Sequence, residues 1–102
     1  MDEKCPVAKI IKILGMKWNM LILRQLSEDK KRFNVLINEL KPISSKTLSK
    51  RLKELEKAGL VKKEAFHEIP PRVEYSLTES GLELIKYFKS LSNWAEKFGK
   101  TI

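Results

Sequence analysis

Four lysines in the segment 44–60 share the spacing of one helix face. At about 100° of rotation per residue they fall within roughly 60° of one another. Three leucines with the same periodicity lie on the opposite side, where they can anchor the helix to a core. A lysine face of this kind suits a phosphate-lined groove, although many charged helix faces are simply solvated. The lysines are Lys46, Lys50, Lys53 and Lys57, and the leucines are Leu48, Leu52 and Leu55.

This segment also has a recognisable start and end. The hydroxyl of Ser44 or Ser45 can accept a hydrogen bond from an unpaired N–H of the first helical turn. Gly59 can adopt a positive φ just beyond the last turn, and Leu60 would then contact Leu55, as in a Schellman motif. We therefore predict a helix over residues 44–58.

The charge of the chain is concentrated around this helix. The 102 residues carry a formal net charge of +8. The segment from Lys41 to Lys63 contains eight lysine or arginine residues and two glutamates, so it holds +6 of that excess. A basic chain favours a polyanionic partner, either nucleic acid or an anionic membrane surface. Concentration of the charge on one segment favours a docking surface.

Cys5 and His67 are the other side chains that could carry chemistry. A thiolate at Cys5 would be stabilised by Lys4 and by the start of a predicted helix, so Cys5 is either a redox-reactive group or a small packing residue. His67 lies in a predicted loop, where it either contacts a phosphate group or has no functional role. One cysteine and one histidine do not make a zinc site without carboxylates or a second chain. No phosphate-binding or dinucleotide-binding motif is present, so we expect no cofactor, no metal and no enzyme activity.

Three helices are predicted before the lysine helix. Apolar periodicity places them at about Pro6–Gly15, Lys17–Ser27 and Phe33–Leu40, with a brief extended piece at 31–33. The second is apolar on most sides, which is typical of a buried helix. The break at Lys41-Pro42-Ile43 leaves about four residues before the lysine helix, in the range of a helix-turn-helix turn.

After Gly59 the apolar period changes from helical to alternating. Residues 60–66 and 73–77 are predicted strands, joined by a loop with Pro70 and Pro71. Thr78 then caps a last helix from about Glu79 to Phe98. Apolar residues cover about half of its circumference, which favours packing on a second subunit over packing on its own core alone. The expected dimerisation residues are Leu84, Phe88, Leu91, Trp94 and Phe98.

This order of elements predicts an α+β fold that is mainly α. The architecture is a winged helix-turn-helix with a two-stranded wing over about residues 60–77 and a long C-terminal helix. Residues 1–102 are expected to form a single domain. No apolar run is long enough to span a membrane, and the N-terminus lacks the features of a signal peptide, so we expect a cytoplasmic protein.

In such a fold the lysine helix is the recognition helix. It would lie in the major groove of double-stranded DNA with its N-terminal residues closest to the base edges. Arg72 is the best-placed cation of the wing, which would meet the neighbouring backbone or the minor groove. The expected DNA-binding residues are Ser44, Ser45, Lys46, Thr47, Ser49, Lys50, Arg51, Lys53 and Arg72.

Several segments together resemble the HxlR-type winged helix-turn-helix regulators of the MarR-like superfamily. They are CPV at 5–7, the G-x-KW-x-x-x-IL pattern at 15–23, RF at 32–33, ISSKTLSKRLKELEKAGLV at 43–61 and IPPRVEYSLTESG at 69–81. The resemblance implies a prokaryotic transcriptional regulator that dimerises through its terminal helices and binds a near-palindromic operator. Some members sense electrophiles or oxidants through an N-terminal cysteine, which implies a redox or small-molecule effector acting at Cys5.

The sequence is also compatible with two other functions. The winged helix could dock on another protein, or it could bind nucleic acid without sequence preference. A regulator requires a specific site on DNA. For a small dimer with no activation domain, repression is the expected outcome of covering a promoter.

Overall fold

A computed structural model describes residues 5–101. The predicted short tail at 1–4, including Lys4 beside Cys5, lies outside the described residues. The helices and strands match the predicted elements to within a residue or two. They are α1 (Pro6–Leu14), α2 (Lys17–Glu28), β1 (Lys31–Arg32), α3 (Phe33–Glu39), α4 (Ser45–Lys57), β2 (Val61–Phe66), β3 (Arg72–Leu77) and α5 (Glu79–Phe98).

The strands form one antiparallel sheet in the order β1-β3-β2. Tyr75 of β3 lies opposite Lys31 of β1 on one side and Lys63 of β2 on the other. The predicted two-stranded wing is therefore joined at its base by the brief extended piece before α3. Pairing with β1 covers part of an edge of β3 whose backbone N–H and C=O groups would otherwise be unpaired.

The core lies between α2, α3, α4 and the base of the sheet. The leucine face of α4 is fully enclosed, with Leu48, Leu52 and Leu55 at most 1% exposed. Burying each such side chain contributes about 1.5–3 kcal/mol to folding. The prediction that α2 is buried on most sides is wrong in part, because Met20 and Leu21 remain 37% and 38% exposed. They border a groove against α5 that no described side chain fills.

The ends of α4 have the predicted geometry. The backbone N–H of Thr47 donates to Ser44 Oγ at 3.0 Å, so Ser44 is the N-cap. Gly59 has a φ of 78°. The N–H of Leu60 donates to the carbonyl of Leu55, and the N–H of Gly59 donates to that of Glu56, each at 3.0 Å. These two bonds define a Schellman motif, which turns the chain from α4 into β2.

The long helix α5 packs against the domain mainly through its first half. Thr78 caps it by accepting from the N–H of Gly81 at 3.1 Å, and donates to the carbonyl of Gly59 at 2.6 Å. Gly81 and Ile85 are buried. A Cβ at Gly81 would collide with the carbonyl oxygen of Leu60, so this first turn lies directly against the start of the wing. None of the described helices is long and apolar enough to cross a membrane.

Candidate nucleic-acid interface

The lysine face of α4 is exposed and unneutralised. All four lysines of the stripe lie on the solvent side of the helix, opposite the buried leucines. Within residues 5–101 none of them forms an ion pair, although Glu54 and Glu56 belong to the same helix. Four unpaired cations on one face leave a positive surface that can neutralise phosphates. The lysines of the stripe are Lys46, Lys50, Lys53 and Lys57.

Hydroxyl groups surround the first turn of α4. Ser44 Oγ donates to Thr47 Oγ1 at 2.9 Å while it accepts from the N–H of Thr47, so both hydroxyls are fixed by the cap. Ser45 is exposed and Ser49 is half-buried. These hydroxyls and the unpaired N–H groups of the first turn can bond phosphate oxygens.

Arg51 does not belong to this surface. Its side chain is only 9% exposed, and its Nη1 lies 3.0 Å from Glu54 Oε2. The sequence predicts that Arg51 binds DNA, whereas in the structure its guanidinium is nearly buried and paired with Glu54, so it is not offered to solvent with the lysines. A signal was available in the sequence, since Arg51 lies roughly 140° around the helix from Lys46 and three residues before a glutamate.

Arg72 of the wing is also engaged within the protein. Its guanidinium lies over the ring of Phe66 at 4.1 Å and pairs with Glu68 at 3.2 Å. A second carboxylate, Glu74, lies 3.8 Å from Arg72 Nε, which is too long for a hydrogen bond. Arg72 therefore holds β2 and β3 together, and its charge is offset by two carboxylates.

Other wing side chains are more accessible. Lys62 and Lys63 of β2 are exposed and, within the described part of the chain, have no ion-pair partner. The sequence placed both in the basic segment, but the expected contacts did not include them. Ile69 at the wing tip is fully exposed, and His67 is exposed beside it.

The base of the sheet is shielded from water. Tyr75 is 8% exposed. Burial, with a smaller contribution from the negative charge of Glu56, raises the pKa of the Tyr75 hydroxyl above its ordinary value of 10.0. The neutral phenol is therefore the form that packs at the junction of β1, β2 and β3.

Cys5 lies at the N-terminal end of α1. It occupies the N-cap position of α1 and is a free, half-buried cysteine that makes no side-chain cap bond. The described residues contain no group of three or more histidine, cysteine or acidic side chains that could hold a metal ion.

Two helices leave apolar faces uncovered. Of the five expected dimerisation residues, Leu84 and Phe88 pack partly against the domain's own core. Leu91, Trp94 and Phe98 are 57%, 50% and 49% exposed. The helix α1 adds exposed Val7 and Ile11, and α5 adds Leu82 and Tyr87. Exposed apolar residues on one face of a helix, such as Leu91, Trp94 and Phe98 on α5, are typical of a protein interface.

Known proteins with this sequence pattern and this fold are transcriptional regulators. The family model described as HxlR-like helix-turn-helix matches residues 13–102. A helix-turn-helix transcriptional regulator of Synechocystis is 41% identical over 97 residues, which cover 91% of this chain and 72% of that protein.

Solved structures agree with this match. A MarR-family transcriptional regulator from Enterococcus faecalis V583 is similar with a TM-score of 0.89 and 36% identity, covering 99% of this chain and 92% of that one. The reduced form of the regulator YodB from Bacillus subtilis is similar with a TM-score of 0.85 and 38% identity, covering 92% and 93%. Winged-helix regulators of this kind bind DNA and are not enzymes. The chain belongs to the HxlR-like helix-turn-helix family of transcriptional regulators.

Proposed function

We propose that this protein is a dimeric, sequence-specific repressor that binds a near-palindromic DNA operator. The observation that carries the proposal is the exposed and unpaired lysine face of α4, held outward by a buried leucine face. In this arrangement α4 lies in the major groove with its first turn nearest the base edges. Most of its bonds go to phosphates, which fix the position of the helix, and the remainder read the bases.

The proposed contacts differ in part from those expected from the sequence. Arg51 and Arg72 are paired with carboxylates inside the protein, so they support the helix and the wing from within. Lys57 continues the stripe of α4, and Lys62 and Lys63 extend the basic surface onto the wing. The proposed DNA contacts are Ser44, Ser45, Lys46, Thr47, Ser49, Lys50, Lys53, Lys57, Lys62 and Lys63.

A second copy of the chain completes the proposed binding unit. Two recognition helices related by a two-fold axis enter successive major grooves about 34 Å apart. The apolar faces of α1 and α5 would be buried between the subunits, and Leu91, Trp94 and Phe98 are exposed in the single chain. Replacing Leu91 and Trp94 by glutamate should yield monomers in sedimentation velocity, while Glu96→Gln on the same helix should remain dimeric.

Selection of bound sequences from a random duplex pool tests the proposal. We expect enrichment of two inverted half-sites separated by about one helical turn, roughly 10 base pairs. Affinity for the enriched duplex should fall steeply with salt, because phosphate contacts release counterions. Enrichment of no sequence would indicate an architectural binder, and retention of no duplex would indicate a protein-interaction module. Either result would overturn the proposal.

We further propose that Cys5 makes DNA binding responsive to oxidants. Cys5 is a free thiol at the start of α1, one of the two helices with an uncovered apolar face. The similar regulator YodB has been solved both in its reduced form and after diamide treatment. Oxidation would break the S–H bonds of two Cys5 thiols of a dimer and form one S–S bond, with two protons and two electrons passing to the N=N bond of diamide.

The thiol proposal has a direct test. Diamide should release the wild-type protein from its selected duplex and should produce a dithiothreitol-reversible covalent dimer on a denaturing gel. Cys5→Ser should bind the duplex normally and ignore diamide. Release of Cys5→Ser by diamide to the same extent as wild type would show that the thiol has no part in the response.

A further inference from the structure

We propose that Asn19 fixes the orientation of the recognition helix and thereby sets the half-site spacing that the protein accepts. The inference rests on the DNA binding proposed above. Asn19 lies on α2 and is fully buried, in a core that is otherwise almost entirely apolar. A buried amide is costly unless it is hydrogen-bonded, so the partners of this side chain determine what it does.

One amide group joins two other helices. Asn19 Nδ2 donates to the carbonyl of Ile13 at 2.8 Å and to Glu54 Oε1 at 3.1 Å. Ile13 lies in the last turn of α1, and its carbonyl also accepts from the backbone N–H of Met16 at 3.3 Å, just beyond the helix. Glu54 lies on α4. Asn19 therefore links the C-terminal end of α1 to the middle of the recognition helix across α2.

A second interaction holds the glutamate in place. The other carboxylate oxygen of Glu54 lies 3.0 Å from Arg51 Nη1. Arg51 and Glu54 are three residues apart on α4, and the Arg51 side chain is nearly buried. The ion pair points the carboxylate at Asn19, so the chain of contacts runs from Arg51 through Glu54 and Asn19 to Ile13.

The hydrogen bonds of Asn19 constrain the orientation of α4, whereas leucine packing alone does not. Burial of Leu48, Leu52 and Leu55 holds α4 against the core, but the hydrophobic effect has no preferred direction. A hydrogen bond weakens steeply when its length or angle changes. A rotation or slide of α4 against α1 and α2 would break the bonds of Asn19 and leave buried polar groups without partners. The polar chain thus selects one orientation among those that the leucines permit.

The orientation of α4 relative to α1 affects the distance between the two recognition helices of the proposed dimer. The exposed apolar residues Val7 and Ile11 lie on α1, the helix whose far end is bonded to Asn19. If α1 contributes to the interface between subunits, the angle between α1 and α4 determines how far apart the two recognition helices lie. Asn19 is therefore a positioning residue, which acts on DNA recognition without contacting DNA.

The amide oxygen of Asn19 also supports an orienting role. Asn19 Oδ1 is buried and has no hydrogen-bond partner among the described residues. An apolar side chain of similar size would not leave this acceptor unpaired. Asn19 is thus a poor choice for stability alone, and its directional bonds are what distinguish it from leucine.

The test compares the spacing preference of variants with that of the wild type. Operators carrying the selected half-sites are made with the selected spacing and with one base pair added or removed. We expect the wild type to prefer its selected spacing by about tenfold or more, because the wrong spacing misplaces one recognition helix. Asn19→Leu should reduce this preference to about threefold or less. Its salt dependence should stay unchanged, because no phosphate contact is lost.

A pair of variants at Glu54 provides an independent test, since Glu54 is partly exposed and its replacement should disturb the fold less than replacement of Asn19. Glu54→Leu removes the acceptor for Asn19 and should relax the spacing preference in the same way. Glu54→Gln keeps a carbonyl oxygen for Asn19 and should retain most of the preference. Ile22→Val on α2 is the matched control, because it lowers stability through the core and leaves Asn19, Glu54 and Arg51 unchanged.

The outcomes distinguish the proposed role of Asn19 from the proposed DNA binding. Relaxed spacing in Asn19→Leu and Glu54→Leu, with normal spacing in Ile22→Val and Glu54→Gln, supports the inference. Wild-type spacing preference in a folded Asn19→Leu or Glu54→Leu protein would overturn it while leaving the proposed function intact. If wild-type protein enriches no paired half-sites, the proposed function fails and this inference fails with it.

Discussion

Helix α4, the proposed recognition helix, and the wing both carry basic side chains, but the lysines of the α4 stripe are unpaired in the described part of the chain while the arginine of the wing is paired within the protein. The four lysines of the stripe on α4 are exposed and, among residues 5–101, have no carboxylate partner. On the wing, Arg72 stacks on Phe66 and pairs with Glu68 and Glu74. A count of cations in the sequence treats these residues alike. The structure separates charge that can be offered to a polyanion from charge that holds two strands together.

The comparison predicts the largest effect for the stripe of α4. Replacing both Lys46 and Lys50 by alanine should weaken binding to the selected duplex by roughly tenfold per lost phosphate contact near 0.1 M salt, and should lower the salt slope by about one unit per contact. Filter-binding titrations at several salt concentrations measure both quantities. Lys9→Ala, an exposed lysine on α1, is the control that should change neither. An unaltered slope in the double variant would refute the placement of this face on DNA.

The junction between the helix and the wing should be the next most sensitive position. Gly59 has a φ of 78°, where an alanine costs about 1–2 kcal/mol. Gly59→Ala should lower the free energy of unfolding by about that amount in urea titrations. Gly99→Ala is the matched control, because its φ is −62° and an added Cβ meets nothing within 4 Å. Equal stability of the two variants would mean that the turn has another conformation.

The wing cation should affect stability more than DNA affinity. Arg72→Ala removes the contacts with Phe66 and the two glutamates and should lower the free energy of unfolding by up to about 1 kcal/mol. The salt slope of DNA binding should stay at the wild-type value, since Arg72 is already neutralised. Lys62→Ala on the same wing should show the reverse pattern. A drop of one unit in the slope for Arg72→Ala would show that the arginine leaves its glutamates to bind phosphate.

The smallest effect is expected at the buried base of the wing. The pKa of Tyr75 is raised in the folded state, so its neutral form stabilises the fold. This contribution is fully present below the ordinary value of 10.0 and is lost as pH rises through the higher folded pKa. The free energy of unfolding of Tyr75→Phe should therefore decline less than that of wild type above pH 10. Parallel declines in urea titrations would show that Tyr75 is not shielded.

Local sequence signals were sufficient for most of the fold. The leucine period of α4, the cap at Ser44 and the left-handed glycine at Gly59 depend on residues within one or two helical turns. For that reason the predicted helix bounds and the Schellman ending are confirmed. The alternating pattern of β3 is likewise local. The pairing of Lys31 with Tyr75 is not, because it joins residues far apart in sequence.

The candidate DNA-binding site also combines features set by local sequence with features set by long-range contacts. The stripe of lysines follows from spacing alone. The state of each cation depends on which residues fold next to it, and Arg51 and Arg72 are both paired with carboxylates of the same chain. The link from Asn19 to Glu54 crosses 35 positions of the sequence, and no periodicity indicates it. Whether the apolar end of α5 meets another subunit stays a prediction.

By itself the sequence determined the order of helices and strands, the family and the position of the basic face, because these depend on short-range periodicity, capping and turn chemistry. Tertiary structure alone decided which cations are free, how β1 completes the sheet and how α4 is bonded to α1. Those features depend on distances between residues that are remote along the chain. These distances are fixed only when the leucine core packs, because polar groups that become buried then require hydrogen-bond partners.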